Sequence, residues 1–143
     1  MFINATGFYV PEERVDNQHF LELNGLTSEW IEQRTGIRSR SKAKAEENIN
    51  TMSMEAVRNA LPKLPYDITD VDLIVSASYS PYDTVVTAAH LAQHEFHIEN
   101  AKALYLSSAC SSFLNALEVE RVFCYGKSDK SVDPFRRQEF GLL

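Results

Sequence analysis

The stretch Leu104-Tyr105-Leu106-Ser107-Ser108-Ala109-Cys110-Ser111-Ser112-Phe113 decides how the chain folds. It opens as an apolar run and closes on a cysteine among small hydroxyl residues. Apolar residues then recur at helical spacing with only a narrow polar strip between them, which is typical of a largely buried helix: Phe113, Leu114, Leu117, Val119, Val122 and Phe123. The stretch therefore predicts a buried strand, a tight turn that carries Cys110, and a buried helix.

Cys110 has two interpretations. A cysteine at a helix N-terminus lies in the positive end of the helix dipole, which favours the nucleophilic thiolate over the thiol. Free backbone N–H groups of the first helical turn could also stabilise an oxyanion. Against this, a free cysteine commonly just fills space in a core. From the local pattern alone both interpretations, nucleophile and packing residue, stay open.

Composition narrows the class of protein. The chain has 143 residues, 44% of them hydrophobic and 24% charged, which is ordinary for one globular domain. A net charge of −6 argues against binding to nucleic acid. Two cysteines do not make a disulfide framework. We find neither a signal-peptide pattern nor an apolar run of membrane-spanning length, so we expect a soluble protein of a reducing compartment without membrane contact.

Along the chain, predicted strands alternate with predicted helices. This order favours an α/β layered domain with a largely parallel sheet. The predicted elements are a strand from Phe2 to Val10, short helices after Asp16-Asn17 and after Thr27 or Ser28, a surface loop over 39–49, a helix from Asn50 or Thr51 to about Leu61, a strand over Val71–Ala77, a helix from about Thr84 or Thr87, a strand over Ala103–Leu106, and the helix after Cys110.

The last residues break the alternation. After Gly126 the order calls for another strand, but Lys127 to Leu143 contains a proline, many charges and no strand period. We therefore predict a half-domain over 1–126 and a divergent tail over 127–143 that lies outside it.

Three stretches together resemble one family, the β-ketoacyl-acyl carrier protein synthases III of the thiolase superfamily. They are Gly7-Phe8-Tyr9-Val10-Pro11-Glu12, then Thr27-Ser28-Glu29-Trp30-Ile31 running into Arg34-Thr35-Gly36-Ile37-Arg38, and Ser108-Ala109-Cys110-Ser111-Ser112-Phe113. The second is the most specific. Ser112 stands where the family usually has glycine. The resemblance runs from Met1 to about Lys130.

The resemblance implies a thiolase-like fold, with this chain as an incomplete N-terminal half. It implies a cytoplasmic homodimer that starts type II fatty acid synthesis, with acyl-coenzyme A as substrate, acyl carrier protein as partner, and no separate cofactor. Cys110 matches the family nucleophile, Trp30 a tryptophan that stacks on the coenzyme A adenine, and Arg34 an arginine near the nucleotide. The competing interpretations are core packing for Trp30 and a surface ion pair for Arg34.

One departure from the family is large. Its catalytic histidine and asparagine lie in a second half, well after the cysteine, whereas all four histidines here precede Cys110: His19, His90, His94 and His97. We therefore expect a truncated or fragment synthase that takes an acyl group but does not condense it. The alternative is a non-catalytic half-fold module that pairs with another synthase chain.

Three of the histidines invite a metal-site interpretation. His90, His94 and His97 fall at i, i+4 and i+7, and histidines four apart on a helix can share a metal. Since no carboxylate or thiol at motif spacing completes the set, we predict a solvated helix face and no metal.

Overall fold

The computed structural model describes residues 3–126 and 138–142, with side chains up to Phe123. The chain divides into two compact units, which are described separately. The sheet unit comprises Met1–Tyr9 and Ile49–Leu143, and the small unit comprises Val10–Asn48.

The small unit holds two short strands and two short helices: β1 (Arg14–Asp16), α1 (Gln18–Asn24), α2 (Ser28–Thr35) and β2 (Ser39–Ser41). The strands pair antiparallel, with Val15 opposite Arg40. Both predicted helices are present, and a left-handed glycine ends each of them, Gly25 and Gly36. Thr27 caps α2 by accepting a hydrogen bond from the Trp30 N–H at 3.2 Å.

The predicted surface loop over 39–49 is wrong at its start, where β2 forms. The three residues of β2 are all polar, so they show no alternation of hydrophobic and polar side chains. Pairing with β1 makes the strand instead, and Arg14 donates to the hydroxyls of Ser39 at 2.6 Å and Ser41 at 3.1 Å. A polar, two-stranded ladder of this kind is invisible to hydrophobic periodicity.

The described residues of the sheet unit form three parallel strands in the order β4-β3-β5, flanked by helices. Its elements are α3 (Ile49–Ala60), β3 (Val71–Ala77), α4 (Ala88–Glu95), β4 (Lys102–Leu106), α5 (Ser112–Gly126) and β5 (Gln138–Leu142). The prediction for β3 is confirmed residue for residue, and its continuous apolar run is buried. This is the parallel α/β layering that the sequence predicts.

The predicted strand over Phe2–Val10 is wrong, since residues 3–13 form no strand. A strand needs a partner, and no strand of the described residues lies beside this segment. The segment instead packs on α3, where a β-carbon added to Gly7 would lie only 2.1 Å from the Ala56 carbonyl oxygen. The Phe8 N–H donates to Asn59 Oδ1 at 3.4 Å.

The tail also differs from the prediction. Gln138–Leu142 forms β5, which pairs parallel with β3, so the prediction of no strand after Gly126 is wrong. Main-chain pairing with β3 makes this strand, and the side-chain pattern does not encode such pairing. Residues 127–137 and 143 lie outside the described residues, and the division at 126/127 stays a prediction.

Two elements are less buried than predicted. β4 lies at the edge of the three described strands, and its Leu104 is 41% exposed. α5 leaves Phe113, Leu114 and Val122 exposed. Within the described residues, no helix has both the length and the apolar character that crossing a membrane requires.

Candidate functional site

Cys110 lies in a single 3₁₀ turn, Ala109–Ser111, between the end of β4 and the start of α5. Its side chain is exposed and its thiol is free. The predicted strand, turn and helix are therefore present, with the cysteine at the turn. Because it is exposed, Cys110 does not fill space in the core.

The residue before the cysteine has an unusual backbone. Ala109 has φ +50°, in the left-handed region that residues with a β-carbon rarely adopt. Such a conformation costs on the order of 1–3 kcal/mol and persists only where neighbouring contacts hold it. Strained residues of this kind cluster at active sites, so the turn is a candidate functional element.

Ser112 supplies two of the contacts that hold this turn. Its side chain is buried, and its hydroxyl accepts the Ser108 N–H at 2.8 Å and donates to the Ala109 carbonyl at 2.8 Å. The hydroxyl thus bridges the end of the strand segment and the strained residue. The resembled family usually has glycine at this position, whereas here the serine side chain is buried in the turn.

Two further side chains bind the same turn. Asn115 donates to the Ser108 hydroxyl at 2.7 Å and more weakly to the Ser111 hydroxyl at 3.4 Å. Ser111 donates its own hydroxyl to the Ser108 carbonyl at 2.7 Å. We call Ser108, Ser111, Ser112 and Asn115 the serine–asparagine clasp.

The backbone N–H of Cys110 is a candidate donor for the chemistry at this turn. The Ser111 N–H bonds to the Ser108 carbonyl at 3.1 Å and the Ser112 N–H bonds to the Ala109 carbonyl. The Cys110 N–H has no acceptor among the described residues. Two of the expected first-turn donors are therefore already bonded, whereas the cysteine's own N–H suits an oxyanion formed beside its sulfur.

The loop after β3 is tied to the strand that leads to Cys110. The Ser78 N–H donates to the Leu106 carbonyl at 3.3 Å, and the Tyr105 hydroxyl donates to the Ser78 carbonyl at 2.9 Å. β3 and β4 run parallel, so this loop and the Cys110 turn leave the same edge of the sheet. Its Tyr79 is 77% exposed there.

In the small unit, Trp30 and Arg34 lie together on α2. Trp30 is 45% exposed, so the core-packing interpretation does not hold. The Arg34 guanidinium carbon lies 4.7 Å from the Trp30 ring centroid, a cation–π contact four residues along the helix. Within the described residues Arg34 forms no ion pair, while its neighbour Arg38 pairs with Glu32 at 2.6 Å.

His90, His94 and His97 are all exposed, as predicted for a solvated face. The spacing predicted that His97 lies on the same helix face. However, α4 ends at Glu95, so His97 follows the helix and does not continue that face. His90 Nδ1 lies 2.9 Å from the Thr87 hydroxyl. In the described part of the chain, no group of three His, Cys, Asp or Glu residues could hold a metal ion.

These features define a class of protein: the sheet unit is part of a thiolase-like α/β fold with a cysteine on the turn after a parallel strand. No family model matches the chain. Individual relatives do match, and they confirm the resemblance to β-ketoacyl-acyl carrier protein synthase III.

The similarity covers most of this chain. A Staphylococcus epidermidis β-ketoacyl-acyl carrier protein synthase III 2 is 35% identical over 117 residues, which is 82% of this chain and 36% of that protein. The synthase III of Prochlorococcus marinus is 37% identical over 126 residues, 88% of this chain and 37% of that protein. The chain thus spans little more than a third of the length of these relatives.

Solved structures agree. The 3-oxoacyl-acyl carrier protein synthase III of Aquifex aeolicus superposes with a TM-score of 0.80 at 32% identity, covering 87% of this chain and 41% of that one. The priming β-ketosynthase of the R1128 polyketide pathway superposes at 0.76 with 34% identity, covering 82% of this chain and 35% of that one.

Proposed function

We propose that this chain is part of a cytoplasmic 3-oxoacyl-acyl carrier protein synthase III and that Cys110 takes the acyl group that starts type II fatty acid synthesis. The observation that carries the proposal is the exposed Cys110 thiol on the strained turn between β4 and α5. Acyl-coenzyme A is the acyl donor, and malonyl-acyl carrier protein and a second copy of the chain are the expected partners.

The proposed step is thioester exchange. The Cys110 sulfur attacks the thioester carbonyl carbon, the bond from that carbon to the coenzyme A sulfur breaks, and coenzyme A leaves as a thiol once it takes a proton. The acyl group stays on Cys110 as a new thioester, so no oxidant and no separate cofactor is needed. The free Cys110 N–H can donate to the oxyanion that forms on the carbonyl oxygen, help worth roughly 3–4 kcal/mol per donor in comparable sites.

Trp30 and Arg34 are the proposed nucleotide contacts. An exposed indole offers a stacking face for adenine, and a guanidinium with no ion-pair partner among the described residues suits a phosphate. Because Arg34 already lies over the Trp30 ring, both groups are presented from one face of α2.

We further propose that this chain alone does not condense. Decarboxylation of a malonyl thioester places negative charge on the thioester oxygen, and donors must meet it. The resembled family supplies a histidine and an asparagine from its second half. Here His90 and His94 are exposed on α4, and neither belongs to the Cys110 turn.

Intact-mass spectrometry with acetyl-coenzyme A tests the cysteine's role. We expect one acetyl group on the wild-type chain, none on Cys110→Ala, and the wild-type result for Cys124→Ala as the matched control. The acetyl group should persist when malonyl-acyl carrier protein is added. Multiple turnovers by the purified chain, or labelling that survives Cys110→Ala, would contradict the proposal.

Tryptophan fluorescence tests the nucleotide contacts, because Trp30 is the only tryptophan. We expect coenzyme A to quench it weakly, at millimolar concentration, since other parts of a whole synthase would complete the pocket. Arg34→Gln should weaken the quenching severalfold, whereas Arg38→Gln, which removes a nearby charge already paired with Glu32, should not. No quenching of a folded chain would remove this part of the proposal.

A second candidate function is a non-catalytic module that pairs with another synthase chain. The observation that favours it is the outer face of α5, where Leu114 is 67% and Val122 is 55% exposed. Large exposed apolar side chains on one face mark interaction surfaces. The acetylation experiment separates the two candidates, because a module needs no acyl group on Cys110.

A further inference from the structure

We propose that Ser112 is a positioning residue for Cys110, acting through its hydroxyl on the strained turn. The inference rests on the proposed function, in which Cys110 is the nucleophile. It concerns this chain in particular, because the resembled family usually carries glycine at this position and so cannot form these bonds.

The geometry gives Ser112 a defined task. Its hydroxyl is held between the Ser108 N–H and the Ala109 carbonyl, both at 2.8 Å, and its side chain is buried with 5% exposure. These two groups flank the left-handed Ala109, the residue that sets the direction in which the chain enters Cys110. Losing the hydroxyl leaves the Ser108 N–H and the Ala109 carbonyl without these partners, and it removes two of the contacts that oppose relaxation of the Ala109 φ toward negative values.

The rest of the clasp supports the same residues from outside. Asn115 is exposed, and its amide holds the Ser108 hydroxyl at 2.7 Å. Because Ser112 is buried and makes two bonds to the backbone of the turn, it should matter more than Asn115. A misplacement of the nucleophile by about 1 Å can cost on the order of a hundredfold in rate.

The test follows the Cys110 peptide by mass spectrometry in two reactions, acetylation by acetyl-coenzyme A and exchange with a small aromatic disulfide. Both require the sulfur to approach along a defined line. We expect Ser112→Ala and Ser112→Gly to slow both reactions about tenfold, and Ser112→Thr, which keeps the hydroxyl, to recover most of the rate. Hydrogen exchange of the Ser108 amide should accelerate at least tenfold in the first two variants.

Ser53→Ala is the matched control. Ser53 is buried to the same degree, with 4% exposure, and donates its hydroxyl to the Ile49 carbonyl at 2.6 Å within α3. Its loss should lower stability without changing the rates at Cys110. A Ser112→Ala chain that is folded and reacts at the wild-type rate in both reactions would overturn the proposal, even if its Ser108 amide exchanges faster.

The outcomes separate the two proposals. If the wild-type chain exchanges with the disulfide but is not acetylated, the proposed function fails, while the positioning role is judged on the disulfide reaction. If Ser112→Ala does not fold, Asn115→Ala takes its place, with an expected slowing of about threefold. Unchanged rates in a folded Asn115→Ala chain would then count against the clasp.

Discussion

The two faces of β3 are packed very differently. The face that carries Ile74 lies under α3 and α4 in a broad buried cluster: Met54, Val57, Val71, Ile74, Ala88, Ala89, Ala92, Ile98 and Ala101. The face that carries Leu73, Val75 and Ala77 has a single buried apolar residue of α5, Ala116, in its cluster. Among the residues whose side chains the structure describes, the second face is covered by fewer buried apolar residues, with the partly buried Leu106 and Phe123 packed against it.

The cause lies in how α5 is turned. Up to Phe123, the buried positions of α5 repeat every four residues and are small or polar, namely Ser112, Ala116 and Glu120, whereas Leu114 and Val122 are exposed. A surface helix normally shows the reverse arrangement. The difference teaches that apolar periodicity identifies a helix but does not say which of its faces is covered. An exposed apolar face on α5 is consistent with a chain that spans little more than a third of its relatives' length.

The largest expected effect compares alanine substitutions on the two faces. Ile74 and Leu73 are both fully buried, so each substitution should cost within about 2–5 kcal/mol of unfolding free energy. Ile74→Ala should lie near the top of that range, because the crowded cluster cannot close around the cavity. Leu73→Ala should lie near the bottom, since its face can relax.

Urea unfolding of the two variants measures this difference. Leu114→Ala on the outer face of α5 is the matched control and should change stability by no more than about 0.5 kcal/mol. A Leu73→Ala chain that is less stable than Ile74→Ala would mean that the two faces are equally well packed.

A smaller effect is expected where Gly7 packs on α3, one of the helices that cover the Ile74 face of β3. A β-carbon there would lie 2.1 Å from the Ala56 carbonyl oxygen and 2.8 Å from the Ala60 β-carbon, distances that require the segment to move. Gly7→Ala should therefore cost about 1–3 kcal/mol through overpacking. Gly25→Ala is not a suitable control because Gly25 has a positive φ, so Thr6→Ala, next in sequence and exposed, serves instead. Equal stability of Gly7→Ala and Thr6→Ala would show that the segment does not press on α3.

Part of the fold could be predicted from the sequence. Val71–Ala77 was predictable because a continuous apolar run suits a strand that is buried on both faces. The segment that contains Phe8 has a similar composition but is no strand, because strand formation depends on a neighbour that local pattern cannot supply. β5 shows the converse, since a stretch without strand periodicity pairs with β3 through its main chain.

The candidate site was predictable in its position and not in its detail. Small residues between a strand and a helix placed Cys110 on a turn, and the structure has it there. Nothing in the sequence indicated the left-handed conformation of Ala109, since alanine does not favour positive φ. For Ser112 and Asn115 the sequence offered only the general preference of serine and asparagine for bonding nearby backbone groups at helix starts. That preference does not say which groups they bind.

The smallest expected effect concerns the loop that leads from β3 to α4, a helix that covers the Ile74 face of β3. Asp83 accepts hydrogen bonds from the N–H groups of Val85 at 2.7 Å and Val86 at 3.0 Å. These two backbone bonds, that from Val85 first, hold the pKa of Asp83 below its usual value. A carboxyl group with a lowered pKa in the folded state stabilises the fold above its unfolded-state pKa, and this stabilisation is lost as the pH falls through the lowered value.

Asp83→Asn keeps an acceptor oxygen and removes the charge, so it isolates this contribution. At pH 7 the variant should be slightly less stable than the wild-type chain, and the difference should shrink below about pH 4, as the wild-type carboxylate becomes protonated. Urea unfolding of both chains at a series of pH values from 7 to 2 measures it, and subtracting one chain from the other removes the contributions of other carboxyl groups, such as Asp67 and Glu118, whose pKa values are also lowered. A difference that stays constant over the whole series would mean that the charge of Asp83 contributes nothing, and that the start of α4 is held on its face of the sheet by the packing of Ala88 and Ala92 alone.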